Sequence, residues 1–387
     1  MLNARDLEKI QQLLEDQRLD GWLLFDFRGR NPIASGVLGD SIVGTRRVFV
    51  IIPRKGLPTA IVHEIDQELW QRWPGTWKKC VWVRERELKD LLAFHLRGMR
   101  LAVDFSPQGR IPYLDCMPAG VFDHLEGIAS NLVSSEELVT RFLSVWTEDE
   151  RRSHERAAEK VADIARVAVE RVARTAREGV LTEFDIYEWI REAFRREGLV
   201  AEGGPSVCIG KNAARNHYEP ARETAAQIVP GELLLIDLWA KEPGGIYADQ
   251  TWMAVLGPPT DCDATLWEVV RTARDEALNL IRSGKILTGA EVDAAARTVI
   301  SVAGWESHIA SRTGHSIDRS GLHGFGPNID STETEDRRLL IPGIGFSIEP
   351  GIYVRGLRGV RSEVNVYLVP GNAVVTPRNY QKELWVL

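Results

Sequence analysis

Two aspartates stand inside strand-like runs of the second half of the chain, where ionised side chains are unusual. Asp237 lies in the run 233–239 and Asp249 in the run 246–252, and both runs are largely apolar. Aspartate is depleted in strands, and a charged carboxylate in an apolar run is costly without a partner. A turn at Pro243-Gly244 predicts that Asp237 lies opposite Asp249, with Cβ atoms about 5 Å apart. Two negative charges at that separation repel each other unless a cation or a shared proton lies between them.

Two glutamates repeat this arrangement further along the chain. Glu349 lies in the run 346–350 and Glu363 in the run 360–366. A turn centred on Gly356 predicts that these two glutamates also face each other. Opposed carboxylates that converge on one site indicate either a metal cage or an acid–base pair. An acid–base pair needs only two carboxylates, so four of them favour bound cations.

Three of the eight histidines precede the two predicted hairpins. His217 precedes the first hairpin, and His315 and His323 precede the second. One imidazole combined with four carboxylates makes a mostly hard, oxygen-rich site. Such a site favours Mn²⁺, with Co²⁺, Fe²⁺ and Zn²⁺ as alternatives.

The elements around these residues predict an α/β (α+β) protein of two domains. Helix and strand signals alternate over residues 1–146, which indicates a small α/β domain. Over residues 147–387 the order helix, helix, hairpin occurs twice, which predicts a domain with pseudo-twofold halves. The predicted helices are 147–177, 182–198, 263–282 and 289–302, and the predicted strands are 232–240, 246–256, 345–352 and 360–368.

Composition excludes several classes of protein. The chain has 387 residues, of which 44% are hydrophobic and 27% charged, unlike disordered, collagen-like or disulfide-scaffold proteins. A net charge of −7 gives no broad basic field, so neither nucleic acid nor a membrane is an expected partner. No apolar run approaches the roughly 20 residues of a membrane span, and early charged residues argue against a signal peptide. The four cysteines lie far apart without a CxxC pair, which favours buried free thiols in a reducing cytoplasm.

The combined motifs resemble those of the pita-bread metallopeptidases, in the branch of Xaa-Pro aminopeptidases and prolidases. The resemblance covers the chain from about Thr147 to its end, and residues 1–146 are similar to the creatinase-type N-terminal domain of that branch. The motifs that carry it, in the family's order, are His217-Tyr-x-Pro220, Asp237, Asp249, Gly314-His315, Ile348-Glu-Pro-Gly-Ile-Tyr353 and Val360-Arg-Ser-Glu363.

The resemblance implies a dinuclear metal site and a hydrolytic mechanism. It implies that Asp249 and Glu363 bridge two divalent metal ions and that a hydroxide between them attacks the scissile carbonyl. The full implied ligand set is Asp237, Asp249, His315, Glu349 and Glu363. Glu349 is also implied to handle the proton. His217 and His323 are implied to bind the substrate and stabilise the tetrahedral intermediate, while Arg361 and Tyr353 match substrate-side positions.

Some intervals depart from the family's pattern. Asp237 and Asp249 are 12 residues apart, and His315 and His323 are 8 apart, each one longer than usual for the family. Between His323 and Glu349, no arginine stands where prolidases recognise a substrate carboxylate, and Arg337 and Arg338 are near that place.

The leading hypothesis is a cytoplasmic, homodimeric metallopeptidase that hydrolyses the Xaa-Pro bond of dipeptides or short peptides. Whether it acts as a dipeptidase or as an aminopeptidase stays open. One alternative is a creatinase-like C–N hydrolase, which shares the fold but does not need the full ligand set. Another is a pita-bread binding module without catalysis, in which metal ligands usually decay.

Overall fold

The computed structural model describes residues 2–39, 44–175 and 181–387 of the chain. Contacts between residues divide it into two compact units, Met1–Leu143 and Ser144–Leu387. The boundary at Trp146 and the domain types assigned on either side of it stay predictions.

The first unit is built on a six-stranded mixed sheet. The strands are β1 (Gly21–Phe27), β2 (Arg47–Pro53), β3 (Thr59–His63), β4 (Lys78–Trp82), β5 (Arg100–Val103) and β6 (Asn131–Ser134), and the helices are α1 (Ala4–Asp16), α2 (Pro32–Leu38), α3 (Glu85–Leu96), α4 (Ala119–Glu126) and α5 (Glu136–Leu143). The sheet order is β4-β3-β2-β1-β5-β6. Apolar runs form the central strands because they can be buried on both faces, and β1 and β2 are buried almost throughout.

Two pairs of helices form the outer layers of the second unit. They are α6 (Glu148–Thr175), α7 (Glu183–Arg196), α8 (Asp261–Arg282) and α9 (Gly289–Val302). The last three begin with a threonine whose hydroxyl accepts from a backbone N–H of the first turn, in a capping box. Thr147 and Glu150 make the equivalent reciprocal contacts before α6. The predicted end of that helix, at 177, lies outside the described residues.

The strands of the second unit follow the predicted order, in which each pair of helices precedes a hairpin. These strands are β7 (Ser206–Ile209), β8 (Leu233–Ala240), β9 (Ala248–Val255), β10 (Ser316–Ile317), β11 (Gly345–Ile348), β12 (Gly351–Val354), β13 (Arg358–Arg361), β14 (Val364–Val369), β15 (Asn372–Thr376) and β16 (Trp385–Val386). One sheet has the order β16-β9-β8-β7, another has β10-β11-β14-β15, and β12 pairs with β13.

The first hairpin pairs in a different register from the predicted one. Asp237 lies opposite Thr251, and Asp249 lies opposite Trp239, so the predicted Asp237–Asp249 pairing is wrong by two residues. The last pair is Ala240–Ala248, and the connection 241–247 is therefore centred on Gly244. A shift by two keeps every side chain on its face of the sheet, so both aspartates still point to the same side.

The second hairpin has the predicted register but is interrupted. Ile348 lies opposite Val364 in one ladder and Gly351 lies opposite Arg361 in the next, both centred on Gly356. Glu349 and Glu363 therefore occupy opposed positions in the break between the two ladders. Pro350 carries no N–H to donate to a ladder, which accounts for an interruption at this point.

The alternation of side chains along β8 determines which face of the sheet carries Asp237. Leu234, Ile236 and Leu238 pack in one apolar cluster with residues of α6 and α7. Because successive side chains point to opposite faces, Asp237 and Trp239 point away from those helices. A second cluster joins α8 and α9 to β11 and β14, so the functional side chains lie between two helix-backed layers.

The four cysteines are free thiols within the described residues. Cys208 is buried, Cys80 and Cys116 are half-buried, and Cys262 is exposed. The prediction that the thiols are buried is therefore wrong for Cys262, which lies in the first turn of α8 on its solvent side. Among the described helices, none combines the length and the apolar character that crossing a bilayer requires.

Candidate active site

A cavity of about 640 Å³ in the second unit collects most of the side chains that the sequence singles out. Three predicted carboxylates, all three motif histidines and Arg361 line it. These residues are Asp237, Asp249, Glu349, His217, His315, His323 and Arg361. Glu363 is buried, with 4% of its surface exposed, next to Asp249 and His315. Tyr353 is buried on β12 and is not among the described residues that line the cavity.

Ser347 on β11 links the backbone of His315 to the side chain of Glu349. The backbone N–H of His315 donates to Ser347 Oγ at 3.0 Å, and Ser347 N donates to the carbonyl of His315 at 2.9 Å. Ser347 Oγ in turn donates to Glu349 Oε1 at 3.0 Å. One serine therefore fixes the relative position of His315 and Glu349.

Asp249, His315 and Glu363 form a compact group of potential metal ligands. One ligand atom of each lies within 4.8 Å of those of the other two. His315 Nε2 is 3.3 Å from Asp249 Oδ2 and 3.4 Å from Glu349 Oε1. These separations are close to those of atoms that share one ion.

Glu363 carries an oxygen that the protein itself does not satisfy. Its Oε2 accepts a hydrogen bond from Thr251 Oγ1 at 2.7 Å, whereas the buried Oε1 has no hydrogen-bond partner. A buried carboxylate oxygen without a donor costs free energy, and a cation removes that cost. The residues present therefore fit a metal ion.

The electrostatics of the carboxylates agree with this fit. Burial raises the pKa of Asp237 to about 7, although Arg361 opposes the shift. Burial also raises the pKa of Asp249, and burial together with neighbouring carboxylates raises the pKa of Glu363 well above its usual range. Burial acts in the same direction on Glu349, but the positive charges of His315, Arg361 and Arg312 outweigh it and lower that pKa. A cluster of acids that resists ionisation alone is stabilised by cations.

Arg361 is bound to acids of the site. Its guanidinium pairs with Asp237, and its Nη1 is 3.6 Å from Glu349 Oε2. Its Nε donates to Thr251 Oγ1 at 2.7 Å, so Thr251 connects Arg361 to Glu363. No sequence motif points to Thr251, which lies opposite Asp237 in the ladder.

His217 and His323 lie at the accessible side of the cavity, and both are exposed. The backbone of His217 is left-handed, with φ of 58°. The neighbouring Tyr218 hydroxyl holds this segment by donating to Glu183 Oε2 at 2.6 Å. His323 packs edge-on against His315, with ring centroids 4.3 Å apart.

Arg312 is a cavity residue that the sequence analysis missed. It lies three residues before His315, lines the cavity, and lowers the pKa of Glu349 by its charge. The two arginines considered from the sequence are elsewhere: Arg337 pairs with Glu335 on the surface, and the buried Arg338 pairs with Asp336. The closeness of Arg312 to the Gly314-His315 motif is the signal that could have identified it.

Comparison with known families identifies the class of this chain. The profile of metallopeptidase family M24 matches residues 156–370, which is more than half of the chain. The chain belongs to metallopeptidase family M24.

Curated relatives include two kinds of dipeptidase. The Xaa-Pro dipeptidase of Lactobacillus delbrueckii subsp. lactis is 39% identical over 158 residues, which cover 41% of this chain and 40% of that protein. The chain therefore matches less than half of the length of that relative. The probable dipeptidase PepE of Mycobacterium bovis is 26% identical over 352 residues, which cover 88% of this chain and 86% of that protein.

Solved structures share the whole architecture. The prolidase from Thermococcus sibiricus is 26% identical with a TM-score of 0.69, and the match covers 100% of both chains. The dipeptidase PepE from Mycobacterium ulcerans is 24% identical with a TM-score of 0.75, covering 99% of this chain and 97% of that one. These likenesses confirm the predicted α/β (α+β) pita-bread fold.

Proposed function

We propose that the chain is a dinuclear metal-dependent peptidase that hydrolyses the Xaa-Pro bond of dipeptides or short peptides. The convergence of Asp249, His315 and Glu363, with an unsatisfied buried oxygen on Glu363, is the observation that carries the metal-dependent part. The relatives named Xaa-Pro dipeptidase and prolidase support the substrate class. Residues 147–387 are then its catalytic domain, and residues 1–146 are a creatinase-type N-terminal domain.

The five residues of the predicted ligand set would hold the two metal ions. These residues are Asp237, Asp249, His315, Glu349 and Glu363. Bound divalent ions supply Lewis acidity to such a site and lower the pKa of water.

Other parts of the reaction depend on side chains of this protein, which transfer the proton, bind the substrate and position the carboxylates. Glu349 takes up the proton of the attacking water and delivers it to the proline nitrogen as the Xaa-Pro C–N bond breaks, since its Oε1 is fixed by Ser347 and it faces the cavity. His217 and His323 donate hydrogen bonds to the substrate from the accessible side of the cavity. Arg361 keeps Asp237 and Glu349 in place through its ion pairs, and Tyr353 is buried on β12, where it pairs with Gly359 of β13.

Three further properties are proposed with this function. Mn²⁺ is the proposed native metal because the ligands are four carboxylates and one imidazole. The proposed assembly is a homodimer, and the proposed location is the cytoplasm. Metal analysis, light scattering and cell fractionation measure these three properties directly.

The Asp249→Asn variant tests the proposed function. We expect about two Mn²⁺ per wild-type chain, a large loss of bound metal in Asp249→Asn, and no hydrolysis by that folded variant. The matched control is Asp163→Asn, an exposed acid of α6 that pairs with Arg166 outside the cavity. A wild-type protein that binds no metal after incubation with Mn²⁺ contradicts the dinuclear proposal.

Substrate length is resolved in the same assay. Cleavage of an Xaa-Pro dipeptide alone identifies a dipeptidase, and cleavage of a longer Xaa-Pro peptide identifies an aminopeptidase. A metal-loaded chain that cleaves neither contradicts the peptidase proposal and favours the C–N hydrolase or the binding module.

A further inference from the structure

Trp239 lies on the same face of the first hairpin as the two aspartates of the site. It follows Asp237 by two residues on β8, and it lies directly opposite Asp249 on β9. The register of this hairpin therefore places an aromatic side chain beside both carboxylates. The cavity is accordingly lined by Trp239 as well as by Asp237 and Asp249.

The indole ring of Trp239 is held in a fixed orientation. Its Nε1 donates to the backbone carbonyl of Glu202 at 2.8 Å. A Cβ at Gly203, whose φ is +77°, would lie 3.7 Å from the ring carbon Cζ2, so the backbone of this segment runs alongside the ring. The polar atom of the indole is thus satisfied, and the rest of the ring presents apolar surface.

Leu322 extends this apolar surface. Trp239 and Leu322 are both half-buried, both pack against the cluster that contains Tyr247 and Ile317, and both line the cavity. We call these two side chains the Trp239–Leu322 wall. The other described side chains around the cavity are mainly charged or polar, such as His217, Arg312 and Glu333.

We propose that the Trp239–Leu322 wall is a specificity subsite that binds an apolar side chain of the first substrate residue, Xaa. The proposal rests on the proposed Xaa-Pro peptidase function. In the proposed function the carbonyl of Xaa is the group attacked at the ligand residues, and Trp239 is an apolar side chain directly beside two of them, Asp237 and Asp249. The opposite, anionic end of a dipeptide is attracted to Arg312. The wall therefore selects bulky aliphatic and aromatic Xaa residues over glycine, because they remove more apolar surface from water.

Selectivity among dipeptides tests this subsite. We expect wild-type, Mn²⁺-loaded protein to prefer Phe-Pro and Leu-Pro to Gly-Pro in kcat/KM. Trp239→Ala should lower the preference for Phe-Pro over Gly-Pro by about tenfold, mainly through the Phe-Pro value. Leu322→Ala should lower the same preference by a smaller factor, and it gives an independent reading if Trp239→Ala does not fold. The matched control is Trp189→Leu, a half-buried tryptophan of α7 outside the cavity, which should leave the preference unchanged.

Failure of the subsite and failure of the proposed peptidase function give different results. An equal loss of kcat/KM for Phe-Pro, Leu-Pro and Gly-Pro in both wall variants overturns the subsite, because the wall then contacts a part of the substrate that all three dipeptides share. If wild-type protein cleaves none of them, the peptidase function fails, and dissociation constants of the same dipeptides measured by calorimetry decide the subsite. In that case, the subsite is supported if the wild type binds Phe-Pro more tightly than Gly-Pro and both wall variants lose this difference. Equal binding of the two dipeptides by the wild type overturns the subsite.

Discussion

Arg361 and Asp237 form an ion pair inside the candidate active site, and the pair is largely removed from water. Only 14% and 17% of their side-chain surfaces are exposed. Removing one member of a buried pair leaves an uncompensated charge, which typically costs about 3–5 kcal/mol. Metal ions held at the proposed ligand carboxylates would compensate part of that charge.

Arg361→Gln should therefore destabilise the metal-free protein more than the metal-loaded protein. We expect the free energy of unfolding to fall by about 3 kcal/mol with EDTA and by clearly less with Mn²⁺, measured by urea denaturation. The control is Arg337→Gln, which removes an exposed surface pair with Glu335 and should change the stability little in either condition. An equal loss of unfolding free energy with and without Mn²⁺ would show that the metal does not compensate the charge of Asp237.

Tyr218→Phe should loosen the segment that carries His217. The Tyr218 hydroxyl donates to buried Glu183, which also accepts from the backbone of Ile209 and Ala226 and so holds both ends of this segment. Loss of a hydrogen bond to a charged group should cost about 2 kcal/mol of unfolding free energy. The same variant should lower kcat/KM while metal content stays at the wild-type level. The control is Tyr187→Phe, which removes a hydrogen bond to the exposed Glu219 and should lower stability and kcat/KM less than Tyr218→Phe does. A larger effect of Tyr187→Phe would disprove the role of Tyr218 in holding this segment.

His154 should make the protein sensitive to acid. It is buried, with Nδ1 beside the carbonyl of Tyr247 and Nε2 beside Thr376 Oγ1, and burial lowers its pKa from 6.5 to about 4. The unfolded chain therefore takes up this proton at higher pH than the folded chain. Stability from His154 is present above pH 6.5 and is lost as the pH falls towards 4, by about 3 kcal/mol in all.

The comparison of wild type with His154→Gln isolates this contribution. Urea denaturation between pH 7 and pH 4 should give a steeper loss of stability for the wild type than for the variant. Parallel pH profiles would show that other groups account for the acid sensitivity.

Gly314→Ala should disturb the position of His315. A Cβ at Gly314 would lie 2.0 Å from the carbonyl oxygen of Ser347, which is backbone and cannot move aside freely. We expect a loss of about 1–3 kcal/mol in stability and reduced metal content by elemental analysis. Gly321→Ala is the matched control, because a Cβ there meets no atom within 4 Å. Wild-type metal content in Gly314→Ala would contradict the expected displacement.

Local signals were enough to locate much of the site. Gly356 marks the centre of the second hairpin, and the facing of Glu349 and Glu363 follows from it. The first hairpin was harder, since its connection contains Pro243, Gly244 and Gly245 and therefore permits more than one turn centre. The face of each strand was still correct, because the error was an even number of residues.

Residues that act through distant contacts could not be found in this way. Thr251 is an ordinary strand threonine in the sequence, and its hydrogen bonds to Glu363 and Arg361 depend on the packing of separate hairpins. Trp239 is an ordinary strand tryptophan in the sequence, since tryptophan is common in buried strands. Its place beside Asp249 became visible only with the observed register.

The ladder of β12 and β13 also separates the site from the tip of the second hairpin. Four residue pairs of β12 and β13 separate Glu349 and Glu363 from the tip at Gly356. Leu357 at this tip is 62% exposed, and a Cβ at Gly356 would meet no atom within 4 Å. Insertions at the tip, such as a fluorescent label or an affinity peptide, extend the hairpin outward while the ladder preserves the geometry of the two glutamates. The tip is therefore a natural attachment point for engineering that leaves the chemistry intact.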